Sequence, residues 1–190
     1  MKTIVNRLLV NLFWFSRHKT GKNLQVVSPR LINCPSESLR IDNDFFAGPG
    51  LYLGSNRYCN VYIGSSVMFG PEVMLLGGNH DYSFTGNHVR YRSEHDESCK
   101  NIMIGNGAWV GGRTTILSGA EVGEAAIIGA NALVNKSIPL YCIAAGNPAK
   151  PVVLRFRDVR DLESILENVG SELTISDINM LLPDNLKYEI

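Results

Sequence analysis

Three histidines stand close together in the middle of the sequence, at positions 80, 88 and 95. Imidazole titrates near neutral pH, so a positioned histidine can take the proton of an alcohol, whose own pKa is far too high for ionisation. Three histidines are also the protein ligands of an open zinc site. His80, His88 and His95 are therefore candidates for proton transfer or for metal binding. No serine or cysteine has a recognisable activating setting for covalent catalysis.

Composition argues against several classes of protein. The chain of 190 residues carries 18 basic and 18 acidic residues, and this balance argues against a dedicated nucleic-acid binder. The length suits one domain, or one domain with appendages. Four cysteines are scattered without a C-x-x-C pair, which favours a reduced, cytoplasmic compartment over a disulfide scaffold.

The elements that must position these side chains repeat every six residues. An Ile or Val leads each hexad, a glycine often stands second and a small residue often stands fifth. A period of six fits a solenoid that turns a corner every six residues. Its lead and fifth residues point inward, and the second-place glycine is expected to relieve positive φ. The clearest run starts at residue 104 with IGNGAW, VGGRTT, ILSGAE, VGEAAI, IGANAL and VNKSIP, and earlier hexads start at 41, 47, 53, 63 and 69.

The repeat stops at the hexad LLGGNH, whose last residue is His80. Counting in sixes from Ile63 places His80 on a corner of the coil, and the pattern returns near Ser98. Residues 81–97 are therefore predicted to leave the coil as a loop. Loops that interrupt a rigid scaffold are where function concentrates.

The coil is predicted to span residues 23–157, between two helical ends. Residues 1–22 begin with an apolar run that predicts a helix packed on the protein or on a sister subunit. The alternative for this helix is a position at a membrane interface. The run is too short to span a bilayer, and no signal-peptide cleavage pattern follows it. Residues 158–190 carry a helical apolar stripe with a C-cap near Gly170.

Three motifs between Ile104 and Lys150 resemble the acetyl-CoA-dependent O-acetyltransferases of the hexapeptide-repeat superfamily: GNGAWVGG, VGEAAIIGANALVNKSIP and AAGNPAK. These enzymes include the maltose, galactoside, xenobiotic and polysaccharide acetyltransferases. The resemblance implies an all-β fold, a left-handed parallel β-helix of hexapeptide repeats with short N- and C-terminal helices. It also implies a homotrimer, with each active site between the β-helices of neighbouring subunits.

The resemblance further implies roles for individual residues. His80 corresponds to the general base, and the Gly112 backbone N–H corresponds to the donor for the oxyanion. Acetyl-CoA is the implied co-substrate, and no metal is expected. The coenzyme-binding positions are Trp109, Gly112, Ala130, Asn135, Lys136, Gly146, Lys150 and Arg155. The acceptor-binding candidates are Asn79, Tyr82, Arg90, Tyr91 and Arg92.

The expected function is direct transfer of the acetyl group from acetyl-CoA to a sugar hydroxyl, in a surface polysaccharide or its small-molecule precursor. Aromatic and charged loop residues suit a sugar, whose faces stack and whose hydroxyls need hydrogen bonds. The expected location is the cytoplasm or the inner face of the membrane. The alternatives are acetylation of an amino nucleotide sugar or of serine, a non-catalytic β-helix scaffold, and a zinc protein similar to γ-class carbonic anhydrases. The histidine spacings do not match the pattern of the last class.

Overall fold

The computed structural model describes residues 15–91 and 99–188, in which short β-strands joined by turns run up to residue 154. In chain order the strands are β1 Lys19–Thr20, β2 Gln25–Val26, β3 Leu31–Asn33, β4 Leu39–Ile41, β5 Phe46–Ala47, β6 Tyr52–Gly54, β7 Val61–Ile63, β8 Met68–Phe69, β9 Met74–Leu76, β10 Ile102–Ile104, β11 Trp109–Val110, β12 Thr115–Leu117, β13 Glu121–Val122, β14 Ile127–Ile128, β15 Leu133–Val134, β16 Cys142–Ala145 and β17 Lys150–Leu154. The helices are α1 Val159–Val169 and α2 Ile175–Leu181, with 3-10 turns at Val89–Tyr91 and Asp184–Leu186.

The strands form three sheets because every third strand stacks on the one before it. Sheet A has the order β1-β4-β7-β10-β13, sheet C the order β3-β6-β9-β12-β15, and sheet B runs from β2 through β5, β8, β11, β14 and β16 to β17. Pairing is parallel except between β16 and β17. The register follows the hexads, since Ile41 pairs with Ile63 and Ile63 with Ile104. The predicted parallel β-helix is confirmed, and its left-handed sense stays a prediction.

The lead and fifth residues of the hexads form the core, as predicted. The lead residue Val110 and the fifth-place residues Ala108 and Ala126 are fully buried. Thr114 is a polar residue at a fifth place, and its hydroxyl donates to the Gly129 carbonyl at 3.1 Å. This bond satisfies the buried hydroxyl, so a polar residue is tolerated in the aliphatic column.

Positive φ falls on the fourth residue of the hexad, so the prediction that the second-place glycine provides it is wrong. Ser66, Arg113 and Asn131 occupy fourth places with φ between 58 and 60°. The second-place glycines instead make room for the backbone of the next turn of the coil. A Cβ atom on Gly105 would lie 2.6 Å from the backbone nitrogen of Glu124, which is closer than real Cβ contacts.

The coil starts earlier than the predicted boundary at residue 23. β1 pairs in parallel with β4, with Lys19 opposite Arg40, so backbone hydrogen bonding already places this stretch in sheet A. The predicted N-terminal helix falls mainly on residues 1–14, which lie outside the described residues. No helix within residues 15–91 and 99–188 is long and apolar enough to cross a membrane.

The helices after the coil pack on its last turn. Asp158 caps α1 by accepting from the Arg160 backbone N–H, and the helix ends at Gly170 with a φ of 64°. Leu162 and Leu166 pack with the buried ring of Tyr141 in a second apolar cluster.

Candidate active site

The corner before His80 follows the repeat up to its fourth residue. Gly77 donates its backbone N–H to the Gly54 carbonyl at 2.7 Å, as the coil ladder requires. Gly78 occupies the fourth place with a φ of 88°. A Cβ atom on Gly77 would lie 2.5 Å from the Cys59 sulfur, so this corner accepts no side chain there without movement. The two glycines therefore let the chain make a normal corner before it leaves the coil.

The repeat ends at Asn79. Fifth-place residues such as Ala120 and Ala126 are buried, whereas Asn79 is exposed. Its backbone N–H donates to the Cys99 sulfur at 2.9 Å, across the base of the excursion. The chain therefore turns outward at Asn79, and His80 follows immediately as an exposed residue.

The residues beside His80 belong to the outgoing side of the excursion. The carboxylate of Asp81 accepts from the Ser83 backbone N–H at 3.0 Å and from the Ser83 hydroxyl at 2.5 Å. Such a side-chain turn stabilises a local reversal of the chain. The predicted acceptor residues Tyr82 and Tyr91 are 85% and 72% exposed, so their rings are available for stacking.

The remaining excursion residues divide between described and undescribed parts. Arg90 lies in the turn Val89–Tyr91 and is exposed, as is His88. Arg92 and His95 lie outside the described residues. Within the part of the chain that the structure describes, no group of three or more His, Cys, Asp or Glu side chains is placed to hold a metal ion.

A second corner of the coil carries the small residues predicted to lie against the coenzyme. Gly112 follows β11 and Ala130 follows β14, so both lie where the chain passes from sheet B to sheet C. Gly146 belongs to the same stack, because its carbonyl accepts from the Leu133 backbone N–H at 3.0 Å. Ala130 and Gly146 are exposed. The corner therefore offers backbone that a narrow ligand arm can approach closely.

The amide of Gly112 differs from its neighbours. Gly111 and Arg113 donate their backbone N–H groups to the carbonyls of Ile128 and Pro71, each at 2.8 Å. Among the described residues, no acceptor is found for the N–H of Gly112. A partly exposed N–H without a protein acceptor can donate to a ligand oxygen.

Trp109 lies on the outer face of sheet B in an apolar column. Its outward neighbours in register are Met68 on one side and Ile127 on the other, and Phe46 pairs with Met68. Phe46, Met68 and Trp109 are 38%, 42% and 47% exposed. An exposed apolar column of this length indicates a surface that another molecule covers.

The predicted polar coenzyme-binding residues differ in how available they are. Asn135, Lys136 and Lys150 are exposed. Arg155 is half-buried, and its guanidinium donates to the Ala125 carbonyl at 2.8 Å and stacks on the Phe156 ring at 5.0 Å. These contacts hold the Arg155 side chain on the coil, so only its remaining N–H groups can face a phosphate.

A buried tyrosine beside this tail was not expected from the sequence. The Tyr141 hydroxyl donates to the Glu124 carboxylate, which also accepts from the Ser171 hydroxyl at 3.4 Å. Burial, followed by the nearby Glu124 carboxylate, raises the pKa of Tyr141 well above its usual range. Tyr141 therefore stays protonated as a donor, and it joins the α1 end of the chain to the coil.

The structure does not bring His80 and Gly112 together within one chain. His80 follows the end of β9, whereas Gly112 precedes the start of β12, and β9 and β12 are neighbours in sheet C. The two residues therefore lie beyond opposite ends of the strands of this sheet. Its three-residue strands span about 10 Å. A single chain thus separates the candidate base from the candidate oxyanion donor.

Three sheets of stacked parallel strands, joined by corners at six-residue intervals, give the described part of the chain the architecture of a parallel β-helix built on hexapeptide repeats. Residues 101–136 match the family described as bacterial transferase hexapeptide (six repeats). The resemblance to hexapeptide-repeat acetyltransferases found in the sequence is confirmed by similar proteins of known sequence and structure.

Two curated relatives and one solved structure illustrate this similarity. A putative acetyltransferase of Schizosaccharomyces pombe is 37% identical over 48% of this chain and 42% of its own length. A putative acetyltransferase of Saccharomyces cerevisiae is 29% identical over 70% of each chain. A galactoside acetyltransferase solved in complex with coenzyme A is 27% identical, with a TM-score of 0.59 over 76% of this chain and 67% of its own. The chain thus spans between 42% and 70% of the length of these two curated relatives.

Proposed function

We propose that this protein is an acetyl-CoA-dependent acetyltransferase that acetylates a hydroxyl of a sugar, in a surface polysaccharide or its precursor. The observation that carries the proposal is the placement of His80. The coil repeat is followed through Gly78 and left at Asn79, so an exposed histidine follows two residues after the end of a rigid corner. A left-handed coil and a cytoplasmic location form part of the proposal, on the resemblance and on the four free cysteines.

The proposed chemistry needs only groups that this chain carries, together with its two substrates. His80 takes the proton of the acceptor hydroxyl as the oxygen attacks the acetyl carbonyl carbon. The N–H of Gly112 donates to the oxyanion that forms. The C–S bond then breaks, and the protonated imidazole returns the proton to the departing CoA thiolate. The acetyl group passes directly to the acceptor, so both substrates are bound before a product leaves.

The proposed coenzyme position runs along the corner between sheets B and C. Ala130 and Gly146 let the pantetheine arm lie against the backbone, and Trp109 provides an exposed ring beside it. The exposed ammonium groups of Lys136 and Lys150 attract the coenzyme phosphates. Tyr82 and Tyr91 offer stacking surfaces for the acceptor sugar.

We further propose that the active site forms between copies of the chain in a homotrimer. The support is the separation of His80 and Gly112, which lie beyond opposite ends of the strands of sheet C. If the apolar column on sheet B of one copy packs against sheet A of the next copy, the corners that border sheet B lie beside the corners that border sheet A. The corner with His80 of one copy then comes beside the corner with Gly112 of its neighbour. Closed cyclic symmetry repeats this contact three times.

Mixing two inactive variants tests this shared site. In His80→Ala the base is missing, and in Ala130→Trp a large ring blocks the coenzyme corner at an exposed position that tolerates it. Each variant alone should be inactive. Random co-assembly should restore about a quarter of the sites, because one site in four pairs an intact His80 with an intact corner of the neighbour. If folded hybrids stay inactive, the shared site is refuted.

A thiol-release screen tests the reaction itself. The screen offers acetyl-CoA with sugars, nucleotide sugars, amino nucleotide sugars and serine, and product analysis identifies the acetylated atom. We expect release with sugar hydroxyls. Release only with an amine or with serine would contradict the proposed acceptor. Absence of coenzyme A binding by calorimetry would contradict the enzyme and indicate a scaffold.

A further inference from the structure

A hydrogen bond joins the two ends of the excursion at its base. The outgoing end supplies the backbone N–H of Asn79, and the returning end supplies the sulfur of Cys99, at 2.9 Å. Asn79 directly precedes His80 in the chain. The Asn79 N–H belongs to the planar peptide unit that ends at the Asn79 Cα atom, and one further peptide unit joins that atom to the Cα atom of His80.

The returning end is the fixed partner in this contact. Lys100 follows Cys99, and its backbone N–H donates to the Ser118 hydroxyl at 3.1 Å. The Lys100 carbonyl accepts from the Ser118 hydroxyl at 2.8 Å and from the Cys59 thiol at 3.1 Å. The turn of the coil before the excursion and the turn after it thus both hold the backbone next to Cys99.

The outgoing end is fixed at its corner. Gly77 is held by the coil ladder, and the positive φ of Gly78 completes the corner. At Asn79 the backbone N–H donates to the Cys99 sulfur and not to a coil carbonyl. The Cys99 sulfur thus links the residue before His80 to backbone that the coil holds in place.

We propose that Cys99 is a positioning residue for His80, acting through the Asn79 N–H, and this inference rests on the proposed function above. A base displaced by about 1 Å can lose on the order of a hundredfold in rate. Thiol sulfur is a weak acceptor, and Asn79 is exposed, so water can replace the bond with little change in stability. The role of Cys99 is therefore in placement and not in folding.

The test compares three cysteine variants. Cys99→Ala removes the acceptor and should lower kcat by about 10- to 100-fold, with the KM for acetyl-CoA unchanged. Cys99→Ser restores an acceptor at the same position and should recover most of kcat. Cys34→Ala is the matched control, because Cys34 is another half-buried cysteine packed against the same core. It should keep the wild-type kcat, and melting temperatures of all three variants should agree within about 3 °C.

His80→Ala in the same series separates this inference from the proposed function. If Cys99 acts through His80, adding Cys99→Ala to His80→Ala should cause no further loss of rate. Wild-type kcat in Cys99→Ala, beside an inactive His80→Ala, would overturn the positioning role alone. Equal losses in Cys99→Ser and Cys99→Ala with a large drop in melting temperature would also overturn it, in favour of a packing role. Full activity in His80→Ala would refute the proposed function, and the positioning role with it.

Discussion

Replacing His80 with alanine separates catalysis from folding sharply in this protein. The imidazole is exposed and lies outside the coil, after the corner has been completed at Gly78. Its removal opens no core cavity, so we expect the free energy of unfolding to change by no more than about 0.5 kcal/mol. The proposed coenzyme contacts come from Trp109, Ala130, Lys136 and Lys150 and not from His80, so coenzyme affinity should also be kept.

The expected effect on the reaction is far larger. A general base contributes about a hundred- to ten-thousand-fold in rate, which corresponds to roughly 3–5 kcal/mol in the activation barrier. Thiol release from acetyl-CoA in the presence of the best acceptor measures kcat and KM. Calorimetry with coenzyme A and denaturant unfolding measure the two quantities that should not change.

His88→Ala is the matched control for this variant. His88 is an exposed histidine of the same excursion, and its described contacts use the backbone: the N–H donates to Asn87 at 2.7 Å, and the carbonyl accepts from Tyr91 at 2.9 Å. The control should keep most of the activity. A folded His80→Ala protein that acetylates its acceptor at the wild-type rate would refute the assignment of the base.

Three further outcomes are expected. Lys136→Ala combined with Lys150→Ala should raise the KM for acetyl-CoA roughly threefold to tenfold at low salt with less effect on kcat, and the difference should shrink as salt is added; an unchanged KM would place the phosphates elsewhere. Sedimentation should give the mass of three 20.9 kDa chains at micromolar concentration, and a stable monomer would contradict the shared site. Hydrogen bonds from Arg160 lower the pKa of Asp158 from 3.8 to about 2, so its support for α1 is present above about pH 4 and is lost as the pH falls through about 2. Unfolding of wild type and Asp158→Asn should therefore differ at neutral pH and converge near pH 2, and a constant difference would contradict this.

The inward positions of the coil could be predicted from the sequence because a single physical demand selects them. Aliphatic residues such as Val110 recur at lead places and small residues such as Ala108 recur at fifth places, where only an aliphatic or a small side chain fits the buried column. The roles of the outer positions could not be separated in this way. Glycine satisfies both a positive φ and a close backbone approach, so the sequence alone does not say which demand Gly105 meets. The fourth-place residue Arg113 shows that positive φ is tolerated here without glycine.

The candidate site was predictable only where the repeat marks it. His80 stands out because the hexads stop on it, whereas Cys99 carries no pattern of its own. Its contact with Asn79 depends on where the chain returns after twenty residues, and no local rule gives that position. The same holds for Arg155, whose contact with the carbonyl of Ala125 spans thirty residues. The coenzyme-binding role of Arg155 stays a prediction.

The ladder that passes beneath the excursion has an evolutionary consequence. β10 stacks directly on β7 in the same register that joins β7 to β4, so the coil resumes in register after the excursion. The excursion is thus a side branch closed at its base. Doubling the length of such a loop costs only about 0.6 kcal/mol in closure entropy. Insertions, deletions and exchanges beyond Tyr82 can therefore accumulate without disturbing the coil, and under the proposed function a lineage could change its acceptor while it keeps the same coenzyme-binding corner.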